Sequence, residues 1–330
     1  MIVYALFPQG QGGSITLYDT TFFPALKNVS EHFGYTYIPC RADKTHMELV
    51  ESVPKTQERV FFVTNFTLDW KREHYDALKK RIPNSEICWF GSDTHYHGWD
   101  AAASEMRSVI DLPLKRHVDA PIFKGLSLME WPIDLYLDPI KAVAKDANLV
   151  CDSYHFYWTI SEDTIKKIES KPLKQKKIYD GICLCSTDNR SYHRKEMFDR
   201  TDKDGLTVLR NLNEHDLDKI FNLYSQSWAT IGTTTACMAS EIRSMKGFRD
   251  WLAPFCNSVL IYDDFVDIVD IGDFIPLYNY GEWGQIKELI DKLKSDSVTY
   301  NKLIEAQKKW TIQNTLERQF IRIFKAFLNG

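Results

Sequence analysis

The chain has 330 residues, of which 44% are hydrophobic and 26% charged, so it is long enough for two globular domains and shows no bias toward disorder. Its formal net charge of −4 argues against a uniformly basic nucleic-acid-binding surface, although a local basic face is compatible with it. No apolar stretch approaches the ~20 residues that cross a bilayer, and the opening MIVYALF lacks the basic region and cleavage site of a leader peptide. We therefore expect a cytoplasmic protein with no membrane partner.

In the first half of the chain, short apolar runs alternate with helical patterns. Strands are predicted at 2–7, 35–40, 59–66, 86–93 and 149–158, and helices at 20–33 and 74–82. The run EICWFGSD is typical of a buried strand because it is short, rich in aromatic residues and bounded by glycine. Strands that alternate with helices predict a parallel sheet with helices on both faces.

The alternation restarts after SEDTIKKIESKPLKQKK (161–177), whose basic, proline-containing end is typical of a linker. Strands are predicted at 178–185, 206–211, 228–234 and 258–264, and helices at 193–201, 216–227, 246–255 and over most of 285–329. We therefore predict an α/β protein with two Rossmann-like αβα domains facing across a cleft and closed by C-terminal helices. The predicted limits are 1–168 and 178–310 for the domains, 169–177 for a basic linker, and 311–330 for a helix that packs back on the first domain.

The cysteines number seven, include no C-x-x-C pair and lie mostly in apolar runs. An odd number of scattered cysteines predicts buried free thiols rather than disulfides or structural zinc. Free thiols also agree with a reducing compartment.

Two segments place arginines near predicted helix starts, where backbone N–H groups and the helix dipole favour an anion. In KGFRDWLAPFCNSVLIYDD (246–264) this residue is Arg249. After the strand 178–185, Arg190 and Arg194 are four residues apart and therefore share one helical face. Each segment taken alone also fits an ordinary exposed arginine, with Arg249 paired to Asp250.

Both segments resemble parts of the GT-B glycosyltransferases. KGFRDWLAPFCNSVLIYDD resembles the R-x-(F/W)-E-x-x-A-x-G helix, buried strand and acidic turn of the group 1 and spore-maturation branches, in which the arginine meets phosphate and the glutamate meets ribose. Arg249 matches the arginine, whereas Leu252 stands at the glutamate position and Asp250 is only a nearby substitute. The segment YDGICLCSTDNRSYHRKEM (179–197) resembles the strand–turn–R-x-x-x-R segment of phage DNA β-glucosyltransferases, whose two arginines clamp the donor diphosphate.

The resemblance implies that residues 178–310 form the donor domain and residues 1–168 the acceptor-side domain. The implied ligand is a nucleotide-diphosphate sugar, with a UDP-sugar as the first choice and no obligatory cofactor. The residues implied to bind it are Ser186, Arg190, Arg194, Arg249 and Asp250.

In WFGSDTHYHGWD (89–100) an acid and two histidines alternate after an apolar run, as Asp93, His95 and His97. The position of Asp93 is similar to that of the general base in the phage glucosyltransferases, where a strand ends in apolar–F-x-D. The resemblance implies an inverting, metal-independent transfer in which this carboxylate takes the proton of the acceptor hydroxyl. The same D-x-H-x-H pattern on an extended segment is also a candidate metal cluster, although no second ligand motif completes it.

The remaining candidate residues would line the acceptor side of the cleft. His95 and His97 are two of them, and Gly12 and Gly13 in the loop QGQGGS (9–14) are the others. Glycines after the first strand allow the backbone to approach a ligand closely, but they fit a simple turn equally well.

The resemblance implies transfer of glucose or a pentose such as arabinose to a hydroxylated pyrimidine in double-stranded phage DNA, in the host cytoplasm, by a monomeric enzyme. The basic tract KPLKQKK and the cluster of Lys71, Arg72, Lys79, Lys80 and Arg81 favour DNA, whereas the acidic net charge does not. Three alternatives stay open. They are a glycosyltransferase acting on a polysaccharide, protein or small molecule, a non-catalytic GT-B-like binding protein, and a metal-dependent hydrolase centred on Asp93.

Overall fold

The computed structural model describes residues 1–8, 21–42, 45–66, 72–91, 124–129, 152–156, 159–173, 176–184, 192–210, 216–232, 235–236, 243–244, 248–263, 274–279 and 281–328. The chain divides into two compact units, one formed by Met1–Tyr157 with Glu317–Gly330 and the other by Trp158–Leu316. Across these described residues, no helix is both long and apolar enough to traverse a bilayer.

The first unit contains a six-stranded parallel sheet in the order β2-β1-β3-β4-β5-β6. The strands are β1 (Ile2–Pro8), β2 (Thr36–Ala42), β3 (Val60–Phe66), β4 (Ser85–Gly91), β5 (Lys124–Met129) and β6 (Asp152–Phe156). The helices between them are α1 (Phe23–His32), α2 (His46–Ser52) and α3 (Arg72–Arg81). Four consecutive residues of β3, from Val60 to Val63, are buried, as expected for a strand that is covered on both faces.

The second unit contains a five-stranded parallel sheet in the order β13-β12-β9-β7-β8. The strands of this sheet are β7 (Tyr179–Cys183), β8 (Val208–Arg210), β9 (Ser227–Ile231), β12 (Val259–Asp263) and β13 (Leu277–Tyr278). A separate antiparallel pair is formed by β10 (Thr235–Ala236) and β11 (Arg243–Ser244). Its helices are α4 (Glu162–Glu169), α5 (Tyr192–Lys203), α6 (Leu217–Ser225), the 3₁₀ helix η1 (Phe248–Cys256), α7 (Gln285–Ser295) and α8 (Ser297–Gln313).

Two faces of this second sheet carry different helices. The crossover from β7 to β8 runs in the opposite direction to those from β8 to β9 and from β9 to β12, and crossovers between parallel strands are right-handed. Helix α5 therefore lies on one face, where Met197 and Phe198 share a core with Ile286 and Ile290 of α7. Helix α6 packs with η1 on the other face.

The last helix, α9 (Leu316–Leu328), belongs to the first unit from Glu317 onward. Its Phe320 ring meets the Phe22 ring edge-on at 5.0 Å between centroids, and its Phe324 ring meets the Phe61 ring at 5.3 Å. These buried aromatic contacts fix the end of the chain to the core of the unit in which the chain begins.

The prediction of two α/β domains with parallel sheets and C-terminal helices is confirmed, but several local features differ from it. Helix α2 and strands β5, β10, β11 and β13 were not predicted, and the last three strands are only two residues long. The predicted helix 246–255 is a 3₁₀ helix that contains Pro254. The second unit begins at Trp158 rather than after a linker at 169–177, since Lys167 and Lys171 of the α4 region both pair with Asp218 of α6.

Candidate functional site

The strand order of the second sheet indicates where a ligand binds. The chain goes from β7 outward to β8 and then returns to the other side of β7 as β9, so that the direction of winding reverses between β7 and β9. In open parallel sheets, ligands bind outside the carboxyl ends of the strands at such a reversal, because helices on opposite faces leave a crevice there. We call the side where Cys183, Ile231 and Asp263 end their strands the carboxyl edge, and the opposite side the amino edge.

Helix α5 follows β7 and therefore begins at the carboxyl edge. Its third residue is Arg194, whose side chain is buried although it carries a full charge, with only 9% of the residue exposed. The first turn of a helix presents unpaired N–H groups and the positive end of the helix dipole. An arginine held in that turn adds a planar donor group that matches phosphate geometry. This part of the carboxyl edge is suited to an anion.

The start of η1 lies at the same edge, on the other face of the sheet. Arg249 is the second residue of η1, and Asp250, the third, is partly exposed. Leu252 is fully buried between Trp251 and Ala253, which are also buried. The glutamate of the resembled motif therefore corresponds to a core position in this chain, and Asp250 is the partly exposed carboxylate two residues before it.

The backbone that leaves β9 is tightly held at the reversal point. The amide of Gly232 donates to the carbonyl oxygen of Ile261 at 2.9 Å, and its own carbonyl accepts from the Tyr278 hydroxyl at 2.6 Å. A side chain at position 232 would place its Cβ 1.9 Å from Cε2 of Tyr262, so only glycine fits. The sequence prediction did not identify Gly232, Tyr262 or Tyr278, although a glycine immediately after the apolar run WATI is a usable signal.

The amino edge has the opposite chemistry. The Lys177 ammonium donates to the carbonyl oxygen of Ser227 at 2.7 Å and to that of Asn257, and it lies 5.9 Å from the centroid of the Tyr300 ring. Ser227 and Asn257 follow the ends of α6 and η1, where helix carbonyl groups accumulate. Burial lowers the pKa of Lys177 to about 8, and burial raises the pKa of the neighbouring Cys256 thiol to about 12.

Several predicted site residues lie outside the described residues. They are Gly12, Gly13, Asp93, His95, His97, Ser186 and Arg190. By sequence number, Asp93 comes two residues after Gly91, the last residue of β4. Within the described parts of the chain, no group of three or more His, Cys, Asp or Glu side chains could hold a metal ion, but the D-T-H-Y-H segment is not among them.

Basic residues that favoured DNA in the sequence are partly engaged inside the protein. The Arg81 guanidinium donates to the carbonyl oxygens of Glu51 and Val53, at 2.9 and 2.7 Å, and the Lys79 ammonium donates to that of Ser85. From the predicted linker, Lys171 pairs with Asp218, and Lys177 is bound at the amino edge. Among the described members of this set, these four side chains support the fold.

No protein-family model and no curated protein sequence matches the chain. Solved structures do match it over nearly its whole length. One of them, from E. coli, is a trehalose-6-phosphate structure bound with UDP-2-fluoro glucose, with a TM-score of 0.63, 8% identity, and coverage of 99% of this chain and 98% of that one. Another is the DNA-modifying enzyme β-glucosyltransferase, studied with and without uridine diphosphoglucose, with a TM-score of 0.56, 14% identity and 100% coverage of both chains.

A third match is trehalose-6-phosphate synthase, described as transferring a glycosyl group with retention, with a TM-score of 0.56, 11% identity, and coverage of 86% of this chain and 77% of that one. At these identities the likeness establishes the fold. The chain has the GT-B glycosyltransferase fold, with two Rossmann-like units and C-terminal helices. The resemblance first seen in its arginine segments is therefore confirmed at the level of the fold.

Proposed function

We propose that this protein is a glycosyltransferase that binds a nucleoside-diphosphate sugar at the carboxyl edge of the second sheet and transfers the sugar to an acceptor hydroxyl. The observation that carries the proposal is the buried Arg194 in the first turn of α5, beside the reversal point between β7 and β9. Proteins of the same fold were studied with UDP-glucose or a fluorinated UDP-glucose, so UDP is the first nucleotide to test.

The proposed chemistry divides between the two units. A diphosphate gains negative charge as it leaves the sugar, and Arg194, with Arg190 and Arg249 as further candidates, would stabilise that charge without a metal. Asp93 would accept the proton of the acceptor hydroxyl as its oxygen attacks the anomeric carbon from the opposite side. This assignment predicts inversion, and the retention described for one protein of the same fold makes the stereochemistry a necessary measurement.

We propose a hydroxylated pyrimidine in double-stranded DNA as the first acceptor to test, supported by the full-length fold match to a DNA-modifying glucosyltransferase. The internal use of Lys79, Arg81, Lys171 and Lys177 favours a second candidate, a transfer to a polysaccharide, protein or small molecule. The two candidates differ in whether the acceptor is a polyanion, and therefore in how strongly salt weakens its binding.

Calorimetric titration and thermal unfolding with UDP, GDP and CDP, each with and without EDTA, test donor binding. One nucleotide at a hundredfold excess over its Kd should add about 2.7 kcal/mol of stability and raise Tm by several degrees. The same shift in EDTA would support the metal-independent reading. No shift with any of the three nucleotides would reject the proposed function, and a loss of stability in EDTA alone would favour the metal-site alternative at Asp93, His95 and His97.

Incubation of the binding nucleotide's glucose and arabinose conjugates with DNA containing hydroxymethylated cytosine, and separately with glycan acceptors, tests transfer. The anomeric configuration of the product, read by NMR, separates inversion from retention. Tight nucleotide binding without turnover of any donor, either to an acceptor or to water, would favour the non-catalytic binding protein.

A further inference from the structure

The hydroxyl group of Tyr278 joins three elements at the carboxyl edge. Tyr278 lies on the edge strand β13 and is fully buried. Its Oη atom donates to the carbonyl oxygen of Gly232, at the end of β9, over 2.6 Å, and it lies 3.8 Å from Sδ of Met197 on α5. One side chain therefore links the outermost strand β13 to Gly232 at the reversal point and to α5, the helix that follows β7.

Helix α5 brings the proposed phosphate-binding arginine to the same place. Met197 and Arg194 are three residues apart, so they lie on the same face of α5, one turn from each other. Both are buried. The Tyr278 hydroxyl thus contacts the helix one turn from the residue that carries the proposed function.

Gly232 is held from its other side as well. Its amide is bonded to Ile261, and the Tyr262 ring occupies the space that a side chain at position 232 would need. Because the amide and the carbonyl of Gly232 are both bonded and the Tyr262 ring covers its Cα, the position of Gly232 at the end of β9 is fixed by Tyr278 and Tyr262 together with Ile261. The chain leaves β9 at the edge where the proposed donor binds.

We propose that Tyr278 is a positioning residue for the donor nucleotide. It acts through Gly232 and through α5, holding the end of β9 at Gly232 and the turn containing Arg194 in one relative arrangement. The inference rests on the proposed function. It goes beyond that function because it assigns the preorganisation of the nucleotide site to the hydroxyl of Tyr278. This residue lies on β13, outside both arginine segments.

The second unit offers a matched control, because the Tyr300 hydroxyl also donates to a backbone carbonyl, that of Asn257, but at the amino edge. We would compare Tyr278→Phe with Tyr300→Phe in the full-length protein, using UDP titration by calorimetry, donor KM and kcat, and Tm. Each change keeps the ring and removes one hydrogen bond, so both should lower Tm. Only Tyr278→Phe should weaken UDP binding, by about three- to tenfold, with donor KM rising by the same factor and kcat nearly unchanged.

A 3-fluorotyrosine at position 278, which restores the hydroxyl, should return UDP affinity to within about twofold of the wild type. Equal UDP affinity in both phenylalanine variants would overturn the inference while leaving the proposed function intact. A wild type that binds no nucleoside diphosphate would overturn both. If Tyr278→Phe does not fold, the volume-conserving Met197→Leu decides. Weakened UDP binding in that variant supports the coupling to α5, and unchanged binding overturns it.

Discussion

The two edges of the second sheet are built from similar parts and present opposite chemistry. Each edge has a cationic side chain, Arg194 or Lys177, and a tyrosine hydroxyl that bonds a backbone carbonyl. At the amino edge the Lys177 ammonium donates hydrogen bonds to two carbonyl oxygens that follow the ends of α6 and η1. At the carboxyl edge helices begin, and their N–H groups and dipoles favour an anion over a cation. Arg194 at the carboxyl edge is therefore the candidate for binding an anionic ligand, whereas Lys177 at the amino edge is bonded to carbonyl groups of the protein itself.

The largest expected effect comes from the first unit and tests whether donor binding belongs to the second unit alone. We expect Asp93→Asn to reduce transfer by roughly 10²–10⁴-fold, because a general base is lost, while UDP affinity stays within about twofold. Single-turnover assays and calorimetry measure the two quantities, and the control is Asp100→Asn, a change at an acid that follows Asp93 in the sequence and has no assigned role. Unchanged turnover would remove Asp93 from the mechanism.

A substitution at Gln307, which contacts the middle of β12 between the two edges, tests whether the stability of the fold can be lowered without a change in UDP binding. The buried Gln307 side chain of α8 bonds both the amide and the carbonyl of Leu260 in β12, each at 2.9 Å, and the carbonyl of Phe274 at 3.0 Å. We expect Gln307→Leu to lower the free energy of unfolding by on the order of 3 kcal/mol, because buried backbone groups lose their partners.

Denaturant unfolding measures this loss, and the exposed Gln313→Leu on the same helix should change little. UDP affinity of the folded Gln307→Leu protein should stay close to that of the wild type. A large loss of affinity would mean that the carboxyl edge depends on the whole of β12 and is not a separate structure.

The cations at the two edges give a direct comparison of binding. Arg194→Ala should weaken UDP binding by about 10- to 100-fold, the equivalent of one charge-assisted contact, and Arg194→Lys should recover only part of it, because lysine lacks the planar fork. Lys177→Met at the amino edge should leave UDP affinity unchanged. Calorimetry on the folded variants decides, and equal affinities in the Arg194 and Lys177 variants would contradict the division between the edges.

The smallest effect concerns the pH dependence of the amino edge. Burial lowers the pKa of Lys177 from 10.5 to about 8 in the folded protein. Between these values the unfolded chain binds a proton that the folded protein lacks, so protonation of Lys177 lowers the free energy of unfolding. This penalty is absent above about pH 10.5, grows as the pH falls and is fully present below about pH 8.

Burial raises the pKa of Cys256 to about 12 and also raises that of Tyr300, so both stay largely neutral through this window. We expect the free energy of unfolding of the wild type, minus that of Lys177→Met, to increase from pH 8 to pH 10. A flat difference in denaturant titrations across that range would show that Lys177 is better solvated than its burial implies.

The sequence by itself determined the architecture and the identity of the charged candidates. Alternating apolar runs such as RVFFVTNF and SVLIYDD predict buried parallel strands, because strands covered on both faces need continuous apolar residues. The spacing predicts that Arg190 and Arg194 share one helical face, but α5 begins at Tyr192, so Arg190 precedes the helix and lies outside the described residues. Arg194 is buried in the first turn of α5, which agrees with the role proposed for it. Apolar runs and residue spacing are local properties, so a segment of a few residues is enough to identify them.

Only the tertiary structure decided which positively charged residues bond to the protein's own carbonyl groups and which long-range contacts surround the proposed site. Lys177 and Asn257 are 80 residues apart, and Tyr278 and Gly232 are 46 apart, so no local pattern pairs them. Leu252 stands at a motif position, and only its burial shows that this position faces the core. Long-range contacts of this kind depend on strand order, and strand order is set by the packing of the whole unit rather than by any one segment.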